Sequence, residues 1–494
     1  MARLLLPFLV VIQVILSIKL INGNTAFLDE ATYLYAGHEQ VQGLIHGRAT
    51  ASYATYFSGA PIVYPILAAL VEKVGGLVGV RALSLIFMAG ATCCLFGVSR
   101  RLFDRTSAFF SGALFVALGP TQFLGVLATY DAMALFLLSL SVWLVIRARD
   151  SSKGPRWLVL SGVALGLANV TKYASGIFDP VIIVLVMLAF LPELGRKRAT
   201  FAAVGTACVV ATTLIPLIVL GGSNVMMGIS STTTERASGQ DSASIILSQS
   251  WRWVGAVAVT AALGLVFRTL DRRRVAPWTV CLLLTVVIVL VPANQARIHT
   301  TTSLMKHADF GAWFACSVAG YAVASTGRWI SSRWFSAGVY LVAAGMIVAL
   351  FRLGNEQATS SFHSWPNSTR LVAALGPLTR DRDAMYLVED SSVPQYYLKS
   401  QVNWRTWRDT YYFSYDDWAS GTTLVGIPAY QAAIRDHLFK VIVIGFGSTY
   451  EVDHAIALSV EKSPDYRLFA RIDGVSAAGP YSYFVWQYKP GTDH

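Results

Sequence analysis

Eleven apolar runs, each long enough or nearly long enough to cross a membrane, fill the first 351 residues and constrain the fold more than any other feature. A helix needs about 20 mostly apolar residues to cross the ~30 Å hydrocarbon core of a bilayer. The runs lie near residues 4–21, 81–98, 107–124, 131–146, 157–171, 177–191, 199–220, 253–267, 276–291, 309–325 and 335–351. Only 14% of the residues are charged, against about a quarter in soluble domains, which excludes an ordinary cytosolic enzyme. The sequence therefore predicts a polytopic α-helical membrane protein.

Lys and Arg lie mainly in every second connection between these runs. Seventeen of them occupy those connections, from Arg3 through Arg272–Arg274 to Arg333. The intervening connections hold fewer Lys and Arg residues, among them Arg48, Lys172, Arg236, Arg297 and Lys306. Because cytoplasmic loops carry the excess of Lys and Arg, this pattern predicts a multi-pass protein of the plasma membrane with a cytoplasmic N-terminus and an extracytoplasmic C-terminal part. The formal net charge of +11 follows from topology and does not indicate a nucleic-acid partner.

Residues 62–78 are apolar enough to be mistaken for a further span. Glu72 and Lys73 near the middle of this segment would each cost about 2.5–3.5 kcal/mol at the bilayer centre. We therefore predict a helix that lies in the outer interface, with a short or re-entrant span as the alternative.

The last 143 residues have the polarity of a soluble domain. Runs rich in β-forming residues at 384–390, 439–445, 466–472 and 481–488 alternate with helical patterns at 428–439 and 451–462. This predicts an extracytoplasmic α/β domain over 352–494. It follows a transmembrane module, residues 1–351, whose first outer loop, 22–80, carries interfacial helices. An aromatic cluster at 404–418 either packs internally or stacks on sugars.

Polar side chains gather in the connections predicted to lie outside. They are Asp29 and Glu30 after the first span, Asp131 at the fourth, Lys172 at the end of the fifth, and Arg297, His299, Lys306 and His307 before the tenth. Ionisable groups at membrane depth mark functional sites: cations suit an anionic lipid headgroup, and a carboxylate suits a base acting on a hydroxyl. Each has a structural alternative, namely helix capping for the three acids, snorkelling for Lys172 and a solvated connection for the 297–307 loop.

The motif FLDEATYLYAGHE, residues 27–39, resembles the first outer loop of the C-type integral-membrane glycosyltransferases, which include the protein O-mannosyltransferases and the aminoarabinose transferases. PIVYPILAAL, from residue 61, is similar to the interfacial helix of that family. ATYDAMALFLLSL, from residue 128, is similar to its Asp-bearing fourth helix. LANVTKYASGIFDP, from residue 167, is similar to the end of a helix that carries a recurrent Lys.

The resemblance implies an inverting glycosyltransferase that moves a hexosyl or pentosyl group from a polyprenyl-phosphate donor to a hydroxyl of a glycan, lipid or protein acceptor. Asp29 would be the general base, and Glu30 would orient the acceptor or hold a metal. Tyr33 and Asp131 are further site residues. The departing phosphate would be neutralised by Lys172, Arg297, His299, Lys306 and His307.

The metal requirement stays open, with Mg²⁺ or Mn²⁺ as the candidates. Aminoarabinose-transferase relatives carry a Glu-Lys pair before the prolines of the interfacial segment, whereas this chain has Ser58, Gly59 and Ala60 before Pro61. The metal site of that subgroup is therefore not carried over to this chain.

Two other functional classes fit the same residues. A transporter or flippase for a lipid-linked or anionic substrate would line its pathway with such polar groups, although here they gather at one face and the two halves show no repeat. A non-catalytic subunit that binds a lipid-linked sugar or a protein partner would keep the fold without the reaction.

Overall fold

The computed structural model describes residues 4–271, 276–329 and 333–490, so the predicted cytoplasmic residues Arg3 and Arg272–Arg274 lie outside the described residues. The chain forms two compact units. The helical unit comprises residues 1–22 and 52–359, and the mixed unit comprises residues 23–51 and 360–494.

Helices lie at all the apolar runs of the helical unit. They are α1 (Leu5–Ile18), α3 (Tyr64–Leu102), α4 (Arg105–Ala117), α5 (Gly119–Leu124), α6 (Tyr130–Arg149), α7 (Gly154–Thr171), α8 (Asp179–Thr232), α9 (Ala243–Leu270), α10 (Trp278–Val286), α11 (Leu290–Arg297), α12 (Leu304–Trp329) and α13 (Arg333–Phe362), while α2 (Leu28–His46) belongs to the mixed unit. Among the described residues, six helical segments are long and apolar enough to cross a membrane: Tyr64–Leu102, Tyr130–Arg149, Tyr173–Thr232, Ala243–Leu270, Trp278–Arg297 and Gly338–Phe362. The count of eleven crossings stays a prediction.

Glycines divide the two longest helices where the sequence predicts separate segments. Gly195 has φ 71° and interrupts α8 between the runs at 177–191 and 199–220. Gly76 has φ 59° and interrupts α3 between the predicted interfacial helix and the run at 81–98. Only glycine enters this region of φ without steric cost, so each helix changes direction there. A helix over 64–75 is confirmed, whereas its position in the membrane interface stays a prediction.

Residues of the connections predicted to be cytoplasmic contact each other across the helical unit. Arg328 lies 2.6 Å from the Asp104 carboxylate, Arg101 lies 3.5 Å from that of Asp150, and Arg149 lies 3.6 Å from that of Glu193. Alternate connections therefore meet at one end of the unit, as antiparallel neighbouring helices require.

The mixed unit is built on a five-stranded sheet. Its strands are β1 (Met385–Val388), β2 (Trp407–Arg408), β5 (Phe439–Ile444), β6 (Tyr466–Ser476) and β7 (Gly479–Tyr488), in the order β2-β1-β5-β7-β6, with β3 (Ser414–Asp417) and β4 (Thr422–Val425) forming a separate hairpin. The strands β2, β1 and β5 are parallel, β7 is antiparallel to β5, and β6 is antiparallel to β7. The helices are α14 (Thr369–Leu375), α15 (Ser392–Tyr397), α16 (Ile427–Arg435) and α17 (Tyr450–Lys462).

The central strands β1 and β5 of this sheet are buried on both faces. Ile442 and Ile444 pack with Ala433 and Ile456 of α16 and α17, while Val441 belongs to a second apolar cluster together with residues of α14. The sequence of a strand that is buried on both faces is a continuous apolar run. The strand at 439–445 could therefore be predicted from the sequence. The predicted α/β composition is confirmed.

Residues 23–51 belong to the mixed unit. The boundaries predicted from the sequence, 1–351 and 352–494, place them in the transmembrane module instead. The Asn24 side chain donates to the carbonyls of Phe362 and Trp365, and the Ala26 N–H donates to the Tyr397 hydroxyl. These contacts join residues more than 330 positions apart, so no local pattern indicates them. The assignment of residues 1–351 as the catalytic module stays a prediction.

Candidate functional site

A fully buried carboxylate lies at the start of α6 in the helical unit. Thr129 is extended and precedes the helix, so Asp131 occupies the first turn, where the helix N-terminus favours an anion. The Asp131 Oδ1 atom lies 2.7 Å from Nζ of Lys172, and Oδ2 accepts a 2.9 Å hydrogen bond from the Thr129 hydroxyl. Lys172 is 4% exposed, so it does not snorkel but forms a buried ion pair.

Residues 58–60 hold Lys172 in this position. The Ala60 N–H donates to the Val170 carbonyl, and the Tyr173 N–H donates to the Ser58 carbonyl. A Cβ atom at residue 59 would overlap the Thr171 carbonyl oxygen, so this close pairing requires glycine. The segment Ser58-Gly59-Ala60 therefore positions the buried lysine.

Two further basic side chains approach Asp131 from the first turn of α12. Nζ of Lys306 lies 3.7 Å from Oδ2, and Nε2 of His307 lies 3.9 Å from Oδ1. The Gln295 amide lies 3.1 Å from Nδ1 of His307 and so orients the ring. Two lysines therefore share one buried carboxylate, which leaves an excess of positive charge.

This excess faces a cavity of about 320 Å³, which we call the helical-unit cavity. Lys172, Arg236, Arg297 and His307 line it, together with the hydroxyls of Thr232–Thr234 and Ser175 and the amides of Asn294 and Gln295. None of the described residues that line it is an Asp or Glu. The arrangement presents the cationic N–H donors of Lys172, Arg236 and Arg297 to an anion, and Arg and Lys suit a phosphate.

The structure places only some of the predicted phosphate-binding residues at the helical-unit cavity. Lys172, Arg297 and His307 line the helical-unit cavity, whereas Lys306 contacts Asp131. His299 is not among the lining residues. Its Nδ1 lies 3.2 Å from the Asp241 carbonyl oxygen, and it adopts φ 49°. It therefore helps to close a loop, because this backbone region suits a tight turn.

Arg236 and Thr232–Thr234 were not among the predicted site residues, because residues 222–250 are rich in Ser, Thr and Gly, a composition typical of a flexible linker. In the structure α8 extends to Thr232, and the Asp241 carboxylate accepts hydrogen bonds from both the N–H and the hydroxyl of Thr301, each 2.7 Å long. These bonds fix the loop to a segment 60 residues away. The signal in the sequence that could have indicated a site here is the cation Arg236 in an outer connection with few Lys and Arg residues.

Asp29, Glu30 and Tyr33 lie in the first turns of α2 in the mixed unit. Glu30 is fully buried, and its Oε2 accepts a 2.8 Å hydrogen bond from the Phe27 N–H. Glu30 thus caps the helix, which is the structural alternative stated for the acidic pair. Asp29 is half-buried and Tyr33 is buried. Their catalytic roles stay predictions.

The metal requirement also stays a prediction. Within the described ranges, no three or more His, Cys, Asp or Glu side chains form a group that could hold a metal ion. Asp131 is surrounded by cations instead of further carboxylates.

Comparison with known proteins agrees with the resemblance noted in the sequence. A family model described as dolichyl-phosphate-mannose-protein mannosyltransferase matches residues 59–219, about a third of the chain. No curated protein matches the chain in sequence.

Several solved structures share its fold. ArnT from Cupriavidus metallidurans bound to undecaprenyl phosphate is 12% identical with a TM-score of 0.61, and the match covers 97% of each chain. The oligosaccharyltransferase AglB from Archaeoglobus fulgidus, in complex with an inhibitory peptide and a dolichol-phosphate, is 14% identical with a TM-score of 0.63 over 98% of this chain and 74% of that one. The arabinofuranosyltransferase AftD from Mycobacteria is 13% identical with a TM-score of 0.54 over 100% of this chain and 42% of that one. At such identities the likeness shows the fold, and with it a multi-pass membrane protein.

Proposed function

We propose that this chain, which has the fold of the C-type membrane glycosyltransferases, transfers a sugar from a polyprenyl-phosphate donor to an acceptor hydroxyl at the outer face of the membrane. The observation that carries the proposal is the helical-unit cavity, which Lys172, Arg236, Arg297 and His307 line without a carboxylate among its described lining residues. The known structures that share the fold include ArnT with undecaprenyl phosphate and AglB with a dolichol-phosphate.

The cavity residues bind the donor phosphate and stabilise it as it leaves. Breaking the bond between the anomeric carbon and the phosphate oxygen leaves the electron pair, and thus added negative charge, on the polyprenyl phosphate. Donors that are already fixed where charge develops lower the barrier, because they need no reorganisation during the reaction. The ion pair with Asp131 holds Lys172 in place, and the Asn294 amide oxygen, 3.1 Å from a guanidinium nitrogen of Arg297, orients that side chain.

Asp29 is the general base in this proposal. The acceptor oxygen forms a bond to the anomeric carbon from the side opposite the phosphate, and the Asp29 carboxylate takes the hydroxyl proton. The configuration at the anomeric carbon inverts. Glu30 is a positioning residue, because its hydrogen bond to the Phe27 N–H fixes the first turn of α2, which carries Asp29.

The first step of the test identifies the donor. Lipid-linked sugars that accumulate in a deletion strain are analysed by mass spectrometry, and the accumulated species is purified and labelled in its sugar. Full-length protein in lipid nanodiscs is then assayed for release of polyprenyl phosphate together with labelled acceptor.

Asp29→Asn is expected to lower transfer by about 10²–10⁴-fold, the usual contribution of a general base, with unchanged yield and melting temperature. Asp29→Glu is the matched control and should retain part of the activity. Full transfer by Asp29→Asn would overturn the role of Asp29. In sealed vesicles, movement of the intact donor without cleavage would instead support a transporter.

A further inference from the structure

A second cavity lies entirely within the mixed unit, and we call it the mixed-unit cavity. It has a volume of about 760 Å³. Its walls are the C-terminal half of α2, the loop that follows Gly47, and the segment between α15 and β2. Gly47 ends α2 in the left-handed region, with φ 64°, so the chain turns sharply and brings Arg48 to the rim.

The charge of this cavity is opposite to that of the unit that contains it. Residues 23–51 and 360–494 carry 13 Lys and Arg against 17 Asp and Glu. The cavity nevertheless collects Arg48, Arg382, Lys399 and Arg405, and its only described acidic lining residue is Glu39. Four cations from three separate segments of an acidic unit, around residues 48, 382 and 399–405, thus face one concave surface. Such a surface attracts anions, because a cleft lined by one sign of charge focuses the field.

Aromatic and amide side chains lie among these cations. Trp404 and Tyr35 line the cavity, and the Arg405 guanidinium carbon lies 5.4 Å from the centre of a Trp404 ring. Gln42 and Asn403 add amide groups that donate and accept hydrogen bonds. Flat aromatic faces suit the apolar faces of sugar rings, and amides suit their hydroxyls. The lining therefore fits an anionic saccharide better than a bare inorganic ion.

The carboxyl group of Glu39 is compatible with a site that binds anions, because its pKa is raised. Burial raises the pKa of its carboxyl from 4.5 to about 7, although the Ala51 N–H and Arg405 oppose the shift. Its Oε2 atom is buried and has no hydrogen-bond partner within the described protein. In its protonated form Glu39 removes the one negative charge from the lining and can donate a hydrogen bond to a ligand oxygen.

We propose that the mixed-unit cavity binds an anionic segment of the acceptor, a saccharide that carries carboxylate or phosphate groups. This inference rests on the proposed transferase function and specifies the class of its acceptor. A flat anionic membrane surface fits less well, because the cations surround a concavity of about 760 Å³ that amides and aromatic rings also line.

The test measures binding to full-length protein in uncharged nanodiscs by calorimetry. The probes are hexagalacturonate, which is anionic, and maltohexaose, which is a neutral hexasaccharide. The double variant Arg382→Gln with Lys399→Gln removes two cavity charges. The double variant Lys462→Gln with Arg467→Gln is the matched control, because it removes one Lys and one Arg from exposed positions of the same unit that do not line the cavity.

The proposal predicts that hexagalacturonate binds at least tenfold more tightly than maltohexaose. The cavity variant should weaken hexagalacturonate binding at least tenfold, while the control variant changes it less than twofold. Equal binding of both probes, equal loss in both double variants, or no hexagalacturonate binding would overturn the proposal. So would binding that appears only when the nanodiscs contain anionic lipid.

The two proposals fail in different ways. Asp29→Asn should abolish transfer and leave hexagalacturonate binding within twofold of the wild type. Binding without any transfer by the wild type would overturn the enzyme assignment and leave the anion site standing. Transfer that proceeds equally well in the cavity variant, onto the natural acceptor at limiting concentration, would overturn the anion site and leave the enzyme assignment standing.

Discussion

The helical-unit cavity and the mixed-unit cavity both collect cations, but the helical-unit cavity also borders a buried ion pair, in addition to the exposed Arg297. Lys172 and Lys306 are 4% and 6% exposed and share the buried carboxylate of Asp131. Arg48, Arg382 and Arg405 of the mixed unit are exposed. A buried charge is stable only with a partner, whereas an exposed one is stabilised by water. We therefore expect substitutions of the buried ion pair beside the helical-unit cavity to lower stability strongly. Substitutions of the exposed cations of the mixed-unit cavity should change stability little.

The largest effect is expected from breaking the buried pair. Asp131→Asn leaves two buried lysines without their counter-charge, and removing one partner of a buried ion pair costs about 3–5 kcal/mol. We expect a large fall in the melting temperature, which is measured by the tryptophan fluorescence of the protein in nanodiscs. Thr129→Val is the control, because it removes only the neutral hydroxyl that donates to Asp131. A fall no larger than that of Thr129→Val would contradict the distinction between the two cavities.

A smaller and purely functional effect is expected at Arg236. This side chain lines the helical-unit cavity, and one hydrogen bond to a charged group contributes about 1.5–3 kcal/mol. Arg236→Gln should therefore raise the KM for the lipid-phosphate donor by about tenfold or more, with an unchanged melting temperature. Arg252→Gln, in α9 and outside the lining, is the comparison variant. Unchanged donor kinetics would exclude Arg236 from the phosphate site.

A pH-dependent effect is expected at Glu39. Because the pKa of this carboxyl is about 7 in the folded protein and 4.5 ordinarily, the folded state binds the proton more tightly than the unfolded chain. Its contribution to stability is complete below pH 4.5 and is lost as pH rises to about 7. The titratable or charged groups that line the cavity around it are Tyr35 and His38 on α2 and the cations Arg48, Arg382, Lys399 and Arg405.

Glu39→Gln keeps an acceptor for the Ala51 N–H but cannot ionise. The difference in melting temperature, Glu39→Gln minus wild type, should increase as the pH is raised from 5 to 8 and should then stay constant. Parallel melting curves over that range would contradict the shifted pKa.

The smallest effect is expected from an exposed ion pair of the mixed unit. Nζ of Lys440 lies 3.0 Å from Oδ2 of Asp381, and the two side chains are 42% and 45% exposed. Exposed pairs contribute about 0.2–1 kcal/mol or less. Lys440→Gln should shift the melting temperature by a degree or two at most, and by less in high salt. A fall as large as that of Asp131→Asn would remove the contrast between buried and exposed charge.

Local patterns predicted most of the elements correctly. The strands at 385–388 and 439–444 and the helices at 427–435 and 450–462 agree with the runs read from the sequence. The break at Gly195 also lies between two predicted spans. These features depend on the spacing of apolar residues and on glycine, so a short stretch of sequence contains them.

Features that depend on distant segments were missed. The 233–242 loop reads as a linker because Ser, Thr and Gly fill it, yet Asp241 is bound to Thr301. Residues 23–51 belong to the mixed unit because Asn24 and Ala26 bond to residues of the C-terminal region. The helix cap formed by Glu30 can be predicted from the sequence, because its hydrogen-bond partner, the Phe27 N–H, is only three residues away.

The sequence by itself determined the class of molecule, the order of its helices and strands, and a resemblance that family and structural comparisons agree with. It did so because apolar periodicity and charge bias are properties of consecutive residues. Only the tertiary structure decided which cations share a cavity. Lys172, Arg236 and Arg297 come from three different connections, and their meeting depends on how the helices pack and on the glycine at position 59 that lets two backbone segments touch.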